Sequence, residues 1–277
     1  MNRQPVKIRL NHLAKTFGDA EAPTVALQDF DLSVKDGEFV CIVGPSGCGK
    51  TTVLRIVAGL ETPSAGAVVV ASASQPEAAP NTTRRRPQNA MVFQEHGLFP
   101  WMTVIDNAAF GLEMQGMRRR ERYHKVAPFL DTIGLAGFHD HYPQQLSGGM
   151  RQRVSLARAF VADPEILLMD EPFAALDAQT KLIMQDELLR IWEGSQKTVL
   201  FITHAIDEAI ALGDRIVVMT ALPGRIKEIV PVDFPRPRSA VELRADPRFG
   251  ALQLSIWRML ESEVRAALPA ARPRAKT

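Results

Sequence analysis

At 277 residues, with 46% apolar and 23% charged side chains, the chain is long enough for one large core or two modest ones and is neither disordered nor fibrous in composition. A formal net charge of +2 lacks the basic bias of a dedicated nucleic-acid binder, so no nucleic-acid partner is expected. No apolar run reaches the roughly 18 residues that a spanning helix needs, and the start, MNRQPVKIRLNHLAKTFG, has no apolar segment of the export type. A cytosolic protein is the expectation.

Val6 to Leu13 and Val25 to Val34 alternate loosely in the manner of half-buried strands, with Lys15-Thr16-Phe17-Gly18 between them and the turn Lys35 to Glu38 after them. Phe17 has two readings, a core aromatic or a ring that stacks on a purine base. The stretch Val40 to Thr52, VCIVGPSGCGKTT, is a buried apolar strand running into a glycine-rich turn, a lysine and two threonines. Gly44, Pro45, Ser46, Gly47, Cys48 and Gly49 form a turn whose glycines let successive backbone N–H groups point inward at phosphate oxygens. A helix beginning near Lys50 adds its positive end. Lys50 is then placed to reach the terminal phosphates, Thr51 to hold Mg²⁺, and Thr52 lies in the same first turn. Cys41 and Cys48 flank this loop without metal or disulfide spacing; Cys41 is expected in the core, and Cys48 in a more exposed place, open to oxidation or alkylation.

The helix candidate extends from Thr51 to Leu60, followed by the turn Glu61 to Gly66 and a short strand, Ala67 to Val70. Ala71 to Pro87, rich in Ala, Ser, Pro and Asn and ending in Arg84-Arg85-Arg86, reads as a solvated loop. Ala90 to Phe93 is a strand ending at Gln94, and from about residue 95 to 160 the pattern becomes helical: Val104 to Met117, Arg120 to Ile133, and the run after Ser147. The α/β pattern then resumes with an apolar strand to Asp170-Glu171, a helix from Ala178 to Trp192, a strand Thr198 to Thr203 ending at His204, a helix through Ala211, and closing strands at Ile216 to Met219 and Arg225 to Val230. Pro231 to Arg238 is an extended connector, Arg248 to Leu268 an amphipathic helix packing back on the body, and the last residues a basic tail. The expected architecture is an α/β P-loop NTPase core with an antiparallel β subdomain and an inserted helical subdomain. Residues 1–240 form the nucleotide-binding domain, and 241–277 the terminal helix and tail.

Three strand ends carry the chemistry, because ligands collect at the carboxyl ends of a parallel sheet. Phosphoryl transfer needs clamped phosphates, a held Mg²⁺ and a water aimed in line. Asp170 is the candidate for Mg²⁺, shared with Thr51, which leaves Glu171 free to polarise the attacking water. Gln94 has an amide able to touch both metal and water, and His204 can donate to a γ-phosphate oxygen. Ser147, Gly148 and Gly149, directly before a helix, make a second anion-binding terminus. One triphosphate has no use for two such loops in one chain, so the second is expected to close over a nucleotide bound to another copy, giving a head-to-tail dimer with two shared sites.

These motifs resemble the ATP-binding subunits of ABC transporters: GPSGCGKT at 44–51 (Walker A), Gln94 (Q-loop), LSGGMRQR at 146–153 (signature), ILLMDE at 166–171 (Walker B), ALD at 175–177 (D-loop) and His204 (H-loop). The resemblance covers roughly residues 6 to 220 and implies ATP and Mg²⁺ as ligands, two chains sandwiching two nucleotides, a role in dimer communication for Asp177, and an adenine-stacking position for Phe17. HGLFPWMTVIDNAAFGLEMQG at 96–116, DEPFAALDAQT at 170–180 and IVPVDFPRPR at 229–238 look like the importer group that handles nitrate, taurine and alkanesulfonates. That resemblance implies multi-span permease subunits docking against Leu98, Phe99, Pro100 and Trp101. It also implies a solute-binding protein outside the membrane and a place for this chain on the membrane's cytoplasmic face. Two other readings are a soluble ABC-type ATPase acting on nucleic acid or ribosomes, and an ATP-binding regulator without turnover. The first lacks a coiled-coil insertion between Gln94 and Ser147, and the second is opposed by the intact Glu171 and His204.

Overall fold

The computed structural model describes residues 5–19, 21–71, 88–94 and 97–267. Strand β3 (Phe39–Val43) is buried along its whole length and lies between two neighbours in a six-stranded sheet of order β5-β6-β7-β3-β8-β9. The others are β5 (Asn89–Val92), β6 (Ile166–Asp170), β7 (Thr198–Ile202), β8 (Arg215–Met219) and β9 (Ile226–Pro231). Every pairing is parallel except β8 with the edge strand β9. The inner strands read as unbroken apolar runs because both faces are covered.

The two-residue period assigns each side chain to a layer. Phe39, Cys41 and Val43 point with Leu167, Met169, Val199 and Phe201 into one core, whereas Val40 and Ile42 point with Ile166, Leu168, Leu200 and Ile202 into the other. The second core is shared with helix α1 (Lys50–Val57) and with a three-stranded antiparallel sheet, order β2-β1-β4, made of β1 (Val6–Phe17), β2 (Thr24–Lys35) and β4 (Ala65–Val70). Strand β1 runs to Phe17, so Lys15, Thr16 and Phe17 lie on the strand and not in a connection after it. Repeated register shifts between β1 and β2, with His12 and Asp29 at positive φ, break the strict alternation that would have marked that extension in the sequence.

Helices α2 (Val104–Met114), α3 (Arg119–Thr132) and α4 (Gly148–Val161) enclose a third core built on Val104, Ala108, Leu112, Val126, Leu130 and Val154. Helix α4 joins it to the sheet, since Leu156, Ala159 and Phe160 face the first core. Helices α5 (Ala178–Ser195) and α6 (Ile206–Leu212) complete that face, and α7 (Pro247–Ala267) lays Phe249, Ile256 and Leu260 against it, as its amphipathic pattern requires. The connector before α7 is fastened by Arg238, whose guanidinium donates to the carbonyls of Gly213 (2.6 Å) and Phe234 (2.8 Å). Burial pulls its pKa down to about 10. Most of the Ala71–Pro87 stretch, the three arginines included, and the basic tail from residue 268 lie outside the described residues. No described helix is long and apolar enough to cross a membrane.

Candidate functional site

The turn after β3 is shaped by close approaches that only glycine allows. A Cβ on Gly44 would stand 2.8 Å from the Cys48 sulfur, and one on Gly49, at φ +97°, would stand 2.8 Å from the Ala26 carbonyl oxygen. Gly49 caps α1 without any side-chain hydrogen bond, and the first turn of α1 carries no acidic residue. The free N–H groups of that turn and the helix dipole therefore face outward together, a cradle whose chemistry fits phosphate. Lys50 lies beneath it, 6% exposed, with Nζ donating to the carbonyls of Gly44 and Pro45 at 2.9 Å each. Cys41 is in the core as expected, but Cys48 is buried and not exposed. Its side chain is tucked under the loop beside Gly44, and burial raises the thiol pKa. Sequence could not show this, because the packing comes from Leu27 and Met219 on other strands.

Asp170 closes β6 and is buried, and it accepts a hydrogen bond from the Thr51 hydroxyl (3.1 Å). Burial raises its pKa, the Thr51 bond lowers it, and the charge of Glu171 raises it again. The pair of hard oxygens is suited to Mg²⁺. Glu171 takes a left-handed conformation, φ +46°, so the chain leaves the strand and the neighbouring carboxylate is re-aimed instead of simply alternating. Its backbone N–H still donates to Ile202 (3.0 Å), and its Oε2 lies 3.1 Å from His204 Nδ1. His204 is placed by the register of β6 on β7, where Asp170 pairs with Ile202. The turn after β7 is held by Thr203, whose hydroxyl donates to buried Glu208 (2.6 Å) and accepts from Ala205 N (3.0 Å), while Lys181 of α5 pairs with Glu208 at 2.8 Å.

A cleft of about 490 Å³ joins these parts; Phe17, Ser46, Gly47, Lys50, Gln94 and Glu171 line it. Phe17 is half exposed, with Lys15 Nζ 4.8 Å from its ring centre, so it is a cleft residue and not a core aromatic. Leu222, from the turn between β8 and β9, also lines the cleft. No sequence signal marked it. Ser147, Gly148 and Gly149 are not in the lining. Ser147 caps α4 by accepting from Met150 N (3.3 Å), Gly149 packs on Thr180, and the position of a Gly148 Cβ has no atom within 4 Å. Asp177 caps α5, accepting from Thr180 N (3.0 Å) and Thr180 Oγ1 (2.6 Å).

Residues 27–174 match the family described as "ABC transporter". The chain is 47% identical over 267 residues to an uncharacterized ABC transporter ATP-binding protein of Methanocaldococcus jannaschii, 96% of either chain. The chain belongs to the ABC transporter ATP-binding family. It is an ATPase subunit with the family's mixed α/β P-loop NTPase fold. An aliphatic sulfonates import ATP-binding protein of Bacillus licheniformis is 42% identical over 257 residues, 93% of this chain and 94% of that one. A dimeric structure of a post-hydrolysis state of an ATP-binding cassette, bound to ADP and Pi, superposes with a TM-score of 0.71 at 33% identity, covering 82% of this chain and all of the other.

In this ABC cassette residues 98–101 form an apolar platform on the helical layer. The Phe99 ring lies 4.7 Å from Phe110 and 5.5 Å from Trp101, which is 70% exposed. Leu98 packs on the third core and Pro100 is exposed. Asn107, wholly buried, organises the platform: its Oδ1 accepts from Phe99 N (2.8 Å) and its Nδ2 donates to the carbonyls of Phe99, Met102 and Thr103 (3.0 Å each). Sequence reading passed over Asn107; its signal was an asparagine on the apolar face of α2, where an unpaired amide would be costly.

Proposed function

We propose that the chain is the motor of an importer for a small anionic or zwitterionic solute of the sulfonate, nitrate or taurine type. Two copies close head to tail over two ATP molecules beneath a multi-span permease, at the cytoplasmic face of the membrane. The sulfonate-import relative supports the solute class, and the dimeric cassette supports the assembly. Residues 1–240 act as the ATP-binding domain, with about 95–160 as its inserted helical part, and 241–277 as an appended helix and tail. The Trp101 platform receives a cytosolic helix of the permease, which passes on solute delivered by a binding protein outside the membrane.

Within the dimer, Phe17 stacks on adenine. The N–H groups of residues 44–52 and Lys50 hold the phosphates, and Thr51, Asp170 and Gln94 hold Mg²⁺. Bound Mg²⁺ neutralises charge on the phosphate oxygens and fixes their direction. Glu171 takes the proton of the attacking water, while His204 orients Glu171 and donates to the γ-phosphate. Ser147, Gly148 and Gly149 of the second copy cover that phosphate, and Asp177 links the two sites. The observation that carries this reading is the 3.1 Å pairing of His204 with Glu171, which lines the same cleft as Lys50.

Glu171→Gln is expected to slow ATP hydrolysis by roughly a hundredfold or more while nucleotide binding persists. Retained turnover in contaminant-free protein would remove Glu171 as the base. The same variant, used as bait on solubilised membranes with Mg-ATP, should recover a multi-span permease; recovery of soluble partners alone would overturn the motor reading.

A further inference from the structure

The turn Thr220–Arg225 between β8 and β9 is held from three directions. Its Gly224 N–H donates to Ala26 O (3.0 Å) and its Gly224 carbonyl accepts from Gln28 N (3.0 Å), which ties it to β2. Gly224 also sits directly on the phosphate loop, where an added Cβ would stand 2.1 Å from the Cys48 carbonyl oxygen. The third contact comes from α7: Glu263 accepts from Ala221 N (2.9 Å) and pairs with Lys227 Nζ (2.6 Å). Lys227 in turn donates to Met259 O (2.8 Å) and Ser262 Oγ (2.9 Å) of the same helix. Inside the turn, Thr220 Oγ1 accepts from Arg225 N and donates to Pro223 O, both at 3.0 Å.

This fastening presents a leucine to water. Leu222 is 52% exposed and lines the same cleft as Phe17, Thr24 and Ala26. An apolar side chain held out of the core by a rigid turn gains only when a ligand covers it. We propose that Leu222 is a second wall of the nucleobase pocket, and that α7 acts through Glu263 as the positioning element of that wall. The inference rests on the assignment of the cleft to ATP with the base beside Phe17. Because Leu222 offers no hydrogen-bonding group, it grips the flat face of a purine and does not read its edge; adenine and guanine nucleotides lose equally when it is shortened. The C-terminal helix is then part of the nucleotide site and not an inert appendage.

The test is calorimetric titration of the full chain with Mg-ATP, Mg-GTP and inorganic tripolyphosphate. Leu222→Ala should weaken ATP and GTP by about three- to tenfold, with tripolyphosphate unchanged, since the phosphate loop is untouched. Glu263→Ala should weaken ATP in the same direction by less. Glu263→Gln, which keeps an acceptor for Ala221 N, should restore it, and the double variant Leu222→Ala/Glu263→Ala should be no weaker than Leu222→Ala alone. Unchanged ATP affinity in Leu222→Ala, a parallel loss for tripolyphosphate, or additive effects in the double variant would overturn the proposal. Lys50→Ala separates the two levels of the argument: it should weaken ATP and tripolyphosphate together. If it weakens neither, the cleft assignment itself fails, whereas its expected loss beside an unaffected Leu222→Ala removes only the second wall.

Discussion

Helices α1 and α4 both start from glycine-rich turns, yet they finish with opposite surroundings. At α1 the cap is Gly49, no side chain satisfies the first-turn N–H groups, and Lys50, Thr51, Asp170 and Glu171 gather around them from the same chain. At α4 the cap is Ser147, which spends its hydroxyl on Met150 N, and the space over Gly148 is open. The first start gathers its polar groups from one chain, whereas the second leaves the space over Gly148 open among the described residues. In the proposed assembly, a phosphate at α4 is carried there by the second copy. That asymmetry is what a composite site between two copies requires, and it can be broken by experiment.

The largest effect is expected from damaging the two starts in different molecules. Lys50→Ala removes the cation of the first, and Gly148→Asp puts a carboxylate where the second would meet phosphate; each alone should lower turnover roughly a hundredfold or more. If the sites are composite, mixing the two proteins restores turnover well above either parent. A mixed dimer pairs the intact α1 start of one chain with the intact α4 start of the other. Activity that stays at the parental level after mixing would sink the head-to-tail arrangement.

The first start was legible in the sequence because all its parts are local or lie at strand ends. Val40–Val43 is apolar, Gly44–Thr51 is consecutive, and Asp170 and His204 each end an apolar run that had to be a strand. What escaped was set by contacts from far along the chain. Cys48 is buried by residues of β2 and β8, and Leu222 reaches the cleft only because β9 folds back antiparallel beside β8. Glu171's positive φ, which aims its carboxylate, has no signature in a Glu-Pro dipeptide. The α4 start reads in the sequence either as a second anion-binding terminus or as an ordinary helix cap, and the structure shows Ser147 capping the helix through its 3.3 Å bond from Met150 N.

That bond gives a middle-sized effect. Ser147→Ala should cost about 1 kcal/mol of stability, through loss of the cap, and Ser147→Gly only a few tenths. Denaturant midpoints for the two variants measure this directly. Equal losses would mean that the hydroxyl is not spent on Met150 N, and that the difference between the two helix starts is smaller than drawn.

The smallest effect concerns α5, whose start resembles α4 and not α1. The Asp177 carboxylate is held below the usual carboxylate range, first by the hydrogen bond from the Thr180 hydroxyl and then by the Thr180 N–H. A depressed folded-state pKa means that the cap is fully stabilising above the unfolded value, about 3.9 for aspartate, and is lost as pH falls through the lower folded value. The start of α5 should therefore persist through the pH range in which ordinary carboxylates protonate. Thr180→Ala should move the titration of Asp177, followed by carboxyl-carbon NMR, back toward the unfolded value. An Asp177 that already titrates normally in the unmodified chain would mean that its oxygens are not committed to Thr180. They would then be open, like the N–H groups of α1, to a partner outside the chain.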